Sequence, residues 1–272
     1  MSTSRDGVVG LFTRAAPTYA TVGPPHFTYF ARRLVDFVGI HTGDRVLDVA
    51  TGTGAVLLAA AERGHGIQLV GVDLAPAMLQ RALSELGRRA LNAQLCVMDA
   101  ERLAFQGRSF DAVLSSFAFL SIPDKQQALS EFRRVLASDG RLGLLDAFGW
   151  YFEHDTRWHW QLELLQSFGA LGEHGTAAHD IGVLGAMLRD AGYTSVQITE
   201  DAFELVFRDA DEWWQWVWSH GSRHLFEAVP ATRQAELKDG LFRGLAQCRQ
   251  DDGLIHGTLR AVLVQAQSPA DK

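Results

Sequence analysis

The sequence predicts an α/β fold: a seven-stranded, mostly parallel sheet with helices on both faces and helical lid insertions. Three observations carry this reading. From Arg45 onward, short apolar runs alternate with longer amphipathic ones, the rhythm of βα units. A glycine-rich turn, Thr51-Gly52-Thr53-Gly54, joins the first strand to the helix after it. Two segments rich in aromatic residues and histidine, 149–178 and 203–250, interrupt the rhythm late in the chain.

The elements follow in order. Phe27, Phe30, Ala31, Leu34, Val35 and Val38 recur at helical spacing over 26–38, and Gly39 offers a stop. Strands are expected at 45–50, 68–73, 93–98, 109–115 and 141–147, with helices at 54–64, 76–90 and 124–137. In the last of these helices Leu129, Phe132, Val135 and Leu136 share one side, and Gly140 closes it. A helix at 180–191 leads through Gly192 to a strand at 195–199, and 260–265 completes the sheet.

This divides the chain into N-terminal helices and a cofactor-binding core (1–148), a lid insertion (149–178), the core continued (179–202), a helical lid insertion (203–250), and a final core strand with its tail (251–272). Both insertions follow strand C-termini, where open α/β sheets bind ligands. The first ten residues and Ser268–Lys272 are expected to be loose.

Composition narrows the class. The 272 residues are 47% hydrophobic and 21% charged, enough for a large core. No uncharged apolar run reaches membrane-spanning length, and Met1–Gly10 lacks the apolar core of a secretion signal, so a cytoplasmic protein without a membrane partner is expected. Cys96 and Cys248 form no CxxC pair, which disfavours a disulfide scaffold. A net charge of −7 and the lack of a dense basic run argue against nucleic acid. The pairs Arg32-Arg33, Arg88-Arg89 and Arg133-Arg134 read as solvated helix faces.

The run Gly43 to Gly54 is a turn, an apolar strand ending in Asp48, and the glycine-rich turn. Gly52 and Gly54 permit positive φ and leave room for a ligand against the main chain. A dinucleotide fingerprint beginning at Gly52 would need Gly or Ala at position 57, where Leu57 stands. Asp48 would repel a pyrophosphate but attract a cationic cofactor, and S-adenosylmethionine carries an ammonium and a sulfonium. The plain alternative is a loop whose glycines only pack helix against strand. Asp73 closes the second strand 25 positions after Asp48, placed to accept hydrogen bonds from a ribose diol. Asp99 and Glu101, after the third strand, form an acidic turn suited to an adenine amino group. Alone each acid reads as a surface loop residue; at successive strand ends of a Rossmann-like sheet together they fit a nucleoside.

At these residues the chain resembles class I S-adenosylmethionine-dependent methyltransferases, notably those similar to ubiquinone and menaquinone biosynthesis C-methyltransferases. Val46 to Gly54 looks like the family's first motif, and Gly71 to Leu79 like its second. Met98-Asp99-Ala100-Glu101 with Leu103 matches the adenine turn, and Phe110 to Leu120 with Pro123-Asp124 the fourth-strand motif. The resemblance implies cofactor contacts from Tyr19, Asp48, Ala50, Thr51, Gly52, Gly54, Asp73, Leu74, Met78, Asp99, Ala100, Glu101, Ser115 and Ser116. It also implies that the segment Phe12 to Tyr19 folds over the cofactor. Ala50 departs from the glycine that many members carry. No Asn/Asp-Pro-Pro-Tyr motif follows the fourth strand, which points to a small-molecule substrate, and the aromatic lids to a hydrophobic one.

Methyl transfer asks mainly for alignment, with a general base where the acceptor carries a proton. The insertions hold five of the ten histidines and His179 borders the first, and His220, His224 and His154 are the candidate catalytic groups, with Asp146 also able to face the pocket. Trp213, Trp214, Trp216 and Trp218 read either as lid-to-core packing or as an aromatic wall for a planar substrate. His154 and His159 lack further ligands, so no metal is expected. The leading expectation is methyl transfer to O, N or C of a hydrophobic metabolite of specialised metabolism, by a monomer or homodimer. A non-methylating, cyclase-type enzyme and a catalytically silent ligand-binding protein remain as alternatives.

Overall fold

The computed structural model describes residues 4–147, 156–171 and 181–270. Among these the elements run α1 (Arg5–Ala15), α2 (His26–Val38), β1 (Arg45–Val49), α3 (Ala55–Ala61), β2 (Gln68–Asp73), α4 (Pro76–Arg88), β3 (Gln94–Val97), β4 (Phe110–Ser116), α5 (Lys125–Val135) and β5 (Leu136–Asp146). Then come α6 (His159–Ser167), α7 (Ile181–Asp190), β6 (Thr194–Phe207), α8 (Ala210–Trp218), α9 (Arg223–Glu227), α10 (Gln234–Gln247) and β7 (Ile255–Gln267).

The seven strands lie in the order β3-β2-β1-β4-β5-β7-β6. The first five pair in parallel, while β7 runs antiparallel between β5 and β6. Strand order reverses between β1 and β4, which opens a crevice at their carboxyl ends. Alternation along the strands divides the core: Val46 and Leu114 join the layer packed by α2 and α3, whereas Leu47 and Val113 join the layer packed by α5 and α7.

The predicted boundaries of α2 hold because Gly39 adopts φ +70° and its N–H returns to the Val35 carbonyl, closing the helix. Elsewhere the structure moves boundaries. The helix expected over 124–137 ends at Val135, because Leu136 pairs with Phe110 and already belongs to β5. Gly140 therefore lies inside the irregular start of a strand and is no helix stop. The sixth strand continues through Phe207, claiming 203–207 from the second insertion: Phe203, Leu205 and Phe207 alternate inward and pair with the start of β7. The N-terminus, expected loose, forms α1 from Arg5, with Ser4 accepting a hydrogen bond from Gly7 N–H.

The described parts of the two aromatic segments are helical and pack on one another. Trp160 of α6 lies flat on Gly244 of α10, where a side chain would collide with the indole. Trp213 and Trp216 are fully buried and Trp214 and Trp218 half-buried, the last two meeting edge to face at 5.6 Å. Packing therefore accounts for the tryptophan run. Among the described residues no helix is long and apolar enough to cross a membrane.

Helix α2 rests on the sheet at Gly143, where a Cβ would overlap Val38 Cγ2 and lie 2.7 Å from Leu114 Cδ2. Gly143→Ala should therefore cost about 1–3 kcal/mol through overpacking, read as a lower urea midpoint with an unchanged slope. An unchanged midpoint would show that α2 packs elsewhere.

Candidate cofactor site

The site begins with Asp48, the penultimate residue of β1 and only 1% exposed. Its Oδ2 accepts a 2.6 Å hydrogen bond from Thr51 Oγ1, while Oδ1 is buried and has no partner among the described residues. Burial pushes its carboxyl up to about 7, opposed by the Thr51 hydrogen bond and reinforced by the nearby Asp73. An acceptor left so is costly unless a donor arrives from outside the chain.

Asp73 ends β2 and fastens the loop. Its Oδ2 accepts from Gly52 N at 2.8 Å and its Oδ1 from Ala75 N at 2.9 Å, with acceptor capacity left for further donors. Burial raises its pKa, and the backbone N–H groups of Ala75, Gly52 and Leu74 counter that rise. Thr51 N donates to Val72 O, so the loop is sewn to β2 along its length.

Ala50 takes φ +57°, the left-handed conformation that glycine adopts freely. That explains the glycine at this place in the resembling family, and it means the methyl is tolerated at a conformational cost. Gly52 and Gly54 also have positive φ, +55° and +87°. Gly54 does not line the cavity; a Cβ there would sit 3.5 Å from Ala82, so it serves the turn and the packing of α4.

Around this loop lies a cavity partly open to solvent. It is lined by Tyr19, Ala50, Gly52, Asp73, Leu74, Met78, Asp99, Ala100, Glu101 and Ser116 of the expected set. A smaller compartment shares Tyr19, Ala50, Gly52 and Ser116 with it and adds Asp48, Thr51, Thr53 and Phe27. Ser115, like Gly54, is an exception: successive strand residues face opposite sides, so Ser116 meets the cavity and Ser115 is buried in the core.

Residues beyond the expected contacts complete the walls, together with Phe12, which opens the segment expected to cover the cofactor. Arg5, Val8 and Phe12 of α1 line the cavity, and Phe117, Ala118, Ser121, Ile122 and Pro123 form the side after β4. Arg5 clasps Asp99 at 2.6 Å and Glu101 at 2.8 Å, so the two acids of the third-strand turn hold the covering helix. Tyr19 stacks on Phe27 at 4.9 Å. The helical spacing of Val8 and Phe12 was the available signal for α1. Phe117 falls inside the Phe110 to Leu120 motif, which does not single it out.

The histidines fare differently. His224 is exposed on α9 with Nδ1 2.7 Å from the Gly221 carbonyl, a capping position away from the cavity. His220 is 1% exposed, packed on Trp216 at 4.5 Å, with Nδ1 3.0 Å from Ser222 Oγ; it stands behind Phe27 and does not line the cavity. His154 lies outside the described residues. Asp146 does not line the cavity either: its carboxylate accepts from Leu120 N and Ala147 N, and burial pushes it up to about 7, so it braces the wall from behind. Among the described residues no group of three or more His, Cys, Asp or Glu side chains could hold a metal ion.

Two variants test the loop. Ala50→Gly should add up to about 1 kcal/mol of stability, because relief of the left-handed strain exceeds the extra freedom glycine gives the unfolded chain; a lower urea midpoint would contradict this. Asp73→Ala should retain the fold, read by near-ultraviolet circular dichroism, and weaken S-adenosylhomocysteine roughly 10- to 100-fold as charge-assisted hydrogen bonds are lost. Unchanged affinity in calorimetry would move the cofactor elsewhere.

Comparison with known proteins agrees with this geometry. Residues 46–140 match a methyltransferase domain family. The chain is 32% identical over 254 residues to nocamycin O-methyltransferase of Saccharothrix syringae, covering 86% of this chain and 89% of that protein. It is 40% identical over 143 residues to the aklanonic acid methyltransferase DauC of Streptomyces sp. strain C5, covering 52% of this chain and 65% of that protein. Among solved structures, the [4+2]-cyclase SpnF superposes with a TM-score of 0.61 at 17% identity over 98% of each chain, a likeness of fold. With a relative of this identity spanning nearly its whole length, the chain belongs to the class I S-adenosylmethionine-dependent methyltransferases.

Proposed function

We propose that this protein transfers a methyl group from S-adenosylmethionine to a hydrophobic small molecule of specialised metabolism. One observation carries the cofactor assignment: the buried Asp48 oxygen that no group among the described residues satisfies, set beside a loop with room for a ligand. The cofactor's cationic amino-acid end supplies the missing donor, and the acceptor capacity left on Asp73 takes the ribose hydroxyls. Asp99, Ala100 and Glu101 face the adenine end, where Met78 and Leu74 add apolar wall.

When bound, S-adenosylmethionine supplies an electrophilic methyl on a sulfonium, and the chain's own part is to hold, orient and dry the site. Helix α1 covers the cavity, with Val8 and Phe12 excluding water. Tyr19 and Phe27 form an aromatic shoulder between the two compartments. The acceptor class rests on the relatives, whose names give a nocamycin and aklanonic acid as their compounds. The helical segments over the carboxyl ends of the sheet act as lids that select it. Among the described residues Cys96 and Cys248 form no disulfide, in keeping with a reducing, cytoplasmic setting, and the chain works there as a monomer or homodimer.

Asp48 makes the reading testable through pH. Because its carboxyl is held at about 7 without a cation beside it, binding below that pH must expel one proton. Calorimetry with S-adenosylhomocysteine should show affinity falling up to about tenfold per pH unit below 7 and level above it; Asp48→Asn should abolish the slope. A flat wild-type profile from about pH 5.5 to 8 would remove Asp48 from the site. Methyl-labelled cofactor incubated with hydroxylated aromatic compounds then reads the reaction: label in product marks methyl transfer, and product without label marks a non-methylating enzyme.

A further inference from the structure

His26 opens α2 and is 2% exposed, yet among the described residues it belongs to no ion pair. Its Nδ1 lies 3.0 Å from the Pro24 carbonyl, which can only accept, so Nδ1 carries the proton and Nε2 presents a lone pair. That Nε2 is buried with no hydrogen-bond partner among the described residues. Burial lowers the pKa of the ring to about 4, against the raising effect of the Pro24 bond, so the ring is neutral at ordinary pH.

The surroundings of this ring are those of the active cavity. Phe27 lies 4.1 Å from it and Phe117 6.2 Å, ring centre to ring centre, and these two side chains also wall the two compartments around the loop. Trp216 at 5.6 Å and His220 at 6.0 Å close the far side. Phe117 takes φ +54°, an uncommon conformation for a bulky residue. Phe27 and Phe117 meet edge to face at 5.4 Å, a contact between two side chains that can part without breaking a backbone hydrogen bond.

We propose that Nε2 of His26 is the proton acceptor for an acceptor molecule that carries a hydroxyl, reached from the cavity when the Phe27–Phe117 contact parts. The inference rests on the methyl-transfer reading above. In the step, the acceptor O–H bond breaks and its proton passes to Nε2. The oxygen's electron pair forms the new O–CH3 bond, and the C–S bond breaks with its pair left on sulfur. The positive charge lost at sulfur thus reappears on the imidazolium, whose Nδ1–H remains bonded to the Pro24 carbonyl. A proton then leaves for solvent, and the ring is restored.

The test needs no knowledge of the acceptor. Diethyl pyrocarbonate, which acylates an unprotonated imidazole nitrogen, is applied at pH 7 to folded wild-type protein saturated with S-adenosylhomocysteine, and modified residues are mapped by mass spectrometry. The expected result is a carboethoxyl group on His26 in the folded protein, forming at least fivefold faster in Phe117→Ala. His26 left unmodified until the protein unfolds, while exposed His224 reacts, would overturn the proposal, since the ring would then be sealed core. A rate unaltered by Phe117→Ala would overturn it too. His26→Gln should bind S-adenosylhomocysteine within twofold of wild type; a larger loss would make His26 part of the cofactor site and refute its role as proton acceptor. Failure of the wild type to bind S-adenosylhomocysteine would remove the methyl-transfer reading and this one with it, whereas a sealed His26 in cofactor-bound protein removes only this one.

Discussion

The carboxylate of Asp73 is the contact on which the site depends. Standing at the end of β2, it accepts the N–H of Gly52 with one oxygen and that of Ala75 with the other, so a single side chain fixes the turn after β1 and the start of the turn after β2. The parallel register places it there: Asp48 lies opposite Gly71 on one side and Leu114 on the other, and the carboxyl ends of β1, β2 and β4 finish side by side. With Gly52 so held, the left-handed Ala50 is tolerated, and Asp48 keeps one oxygen pointed at no group of the described chain. Binding capacity follows from that unfinished hydrogen bonding, because a cationic ligand completes what the fold leaves open.

Acidic residues at the other end of the cavity do a second job. Asp99 and Glu101 hold Arg5, and Glu101 also accepts the N–H of Asp124 at the start of α5. The turn after β3 is therefore tied both to the helix covering the cavity and to the wall after β4. At α1's other end Arg14 pairs with Glu227 of α9 at 2.6 Å. Arg5 and Arg14 are more than half exposed, so each pair contributes little to stability by itself. Their effect is positional: α1 is fastened over the cavity at two points.

Much of this was legible in the chain. The alternating apolar runs locate the first four strands closely, and the pattern of carboxylates at their ends is local, so sequence spacing suffices for Asp48, Asp73 and Asp99. Ser115 and Ser116 show the limit of motif matching, since only the pleat decides which of two adjacent serines meets the cavity. The histidines show a deeper limit. Abundance in the insertions favoured His220 and His224, but a proton acceptor is defined by which ring nitrogen is bonded and what surrounds the other, and those are tertiary facts. His26 sits in an apolar stretch where a histidine reads as packing. The ends of β5 and β6 were missed for a related reason: pairing across the sheet, with Phe110 and with β7, overrode the local helical and loop signals.

The central claim is that the loop after β1 holds the cationic end of S-adenosylmethionine against Asp48, with the ribose on Asp73. A crystal structure of the protein with S-adenosylhomocysteine tests it most directly. The account predicts the ligand's ammonium within hydrogen-bond distance of Asp48 Oδ1 and both ribose hydroxyls on Asp73, with the Gly52 bond to Asp73 intact. A ligand bound away from the β1 loop, or one whose ammonium leaves Asp48 Oδ1 without a donor, would contradict it.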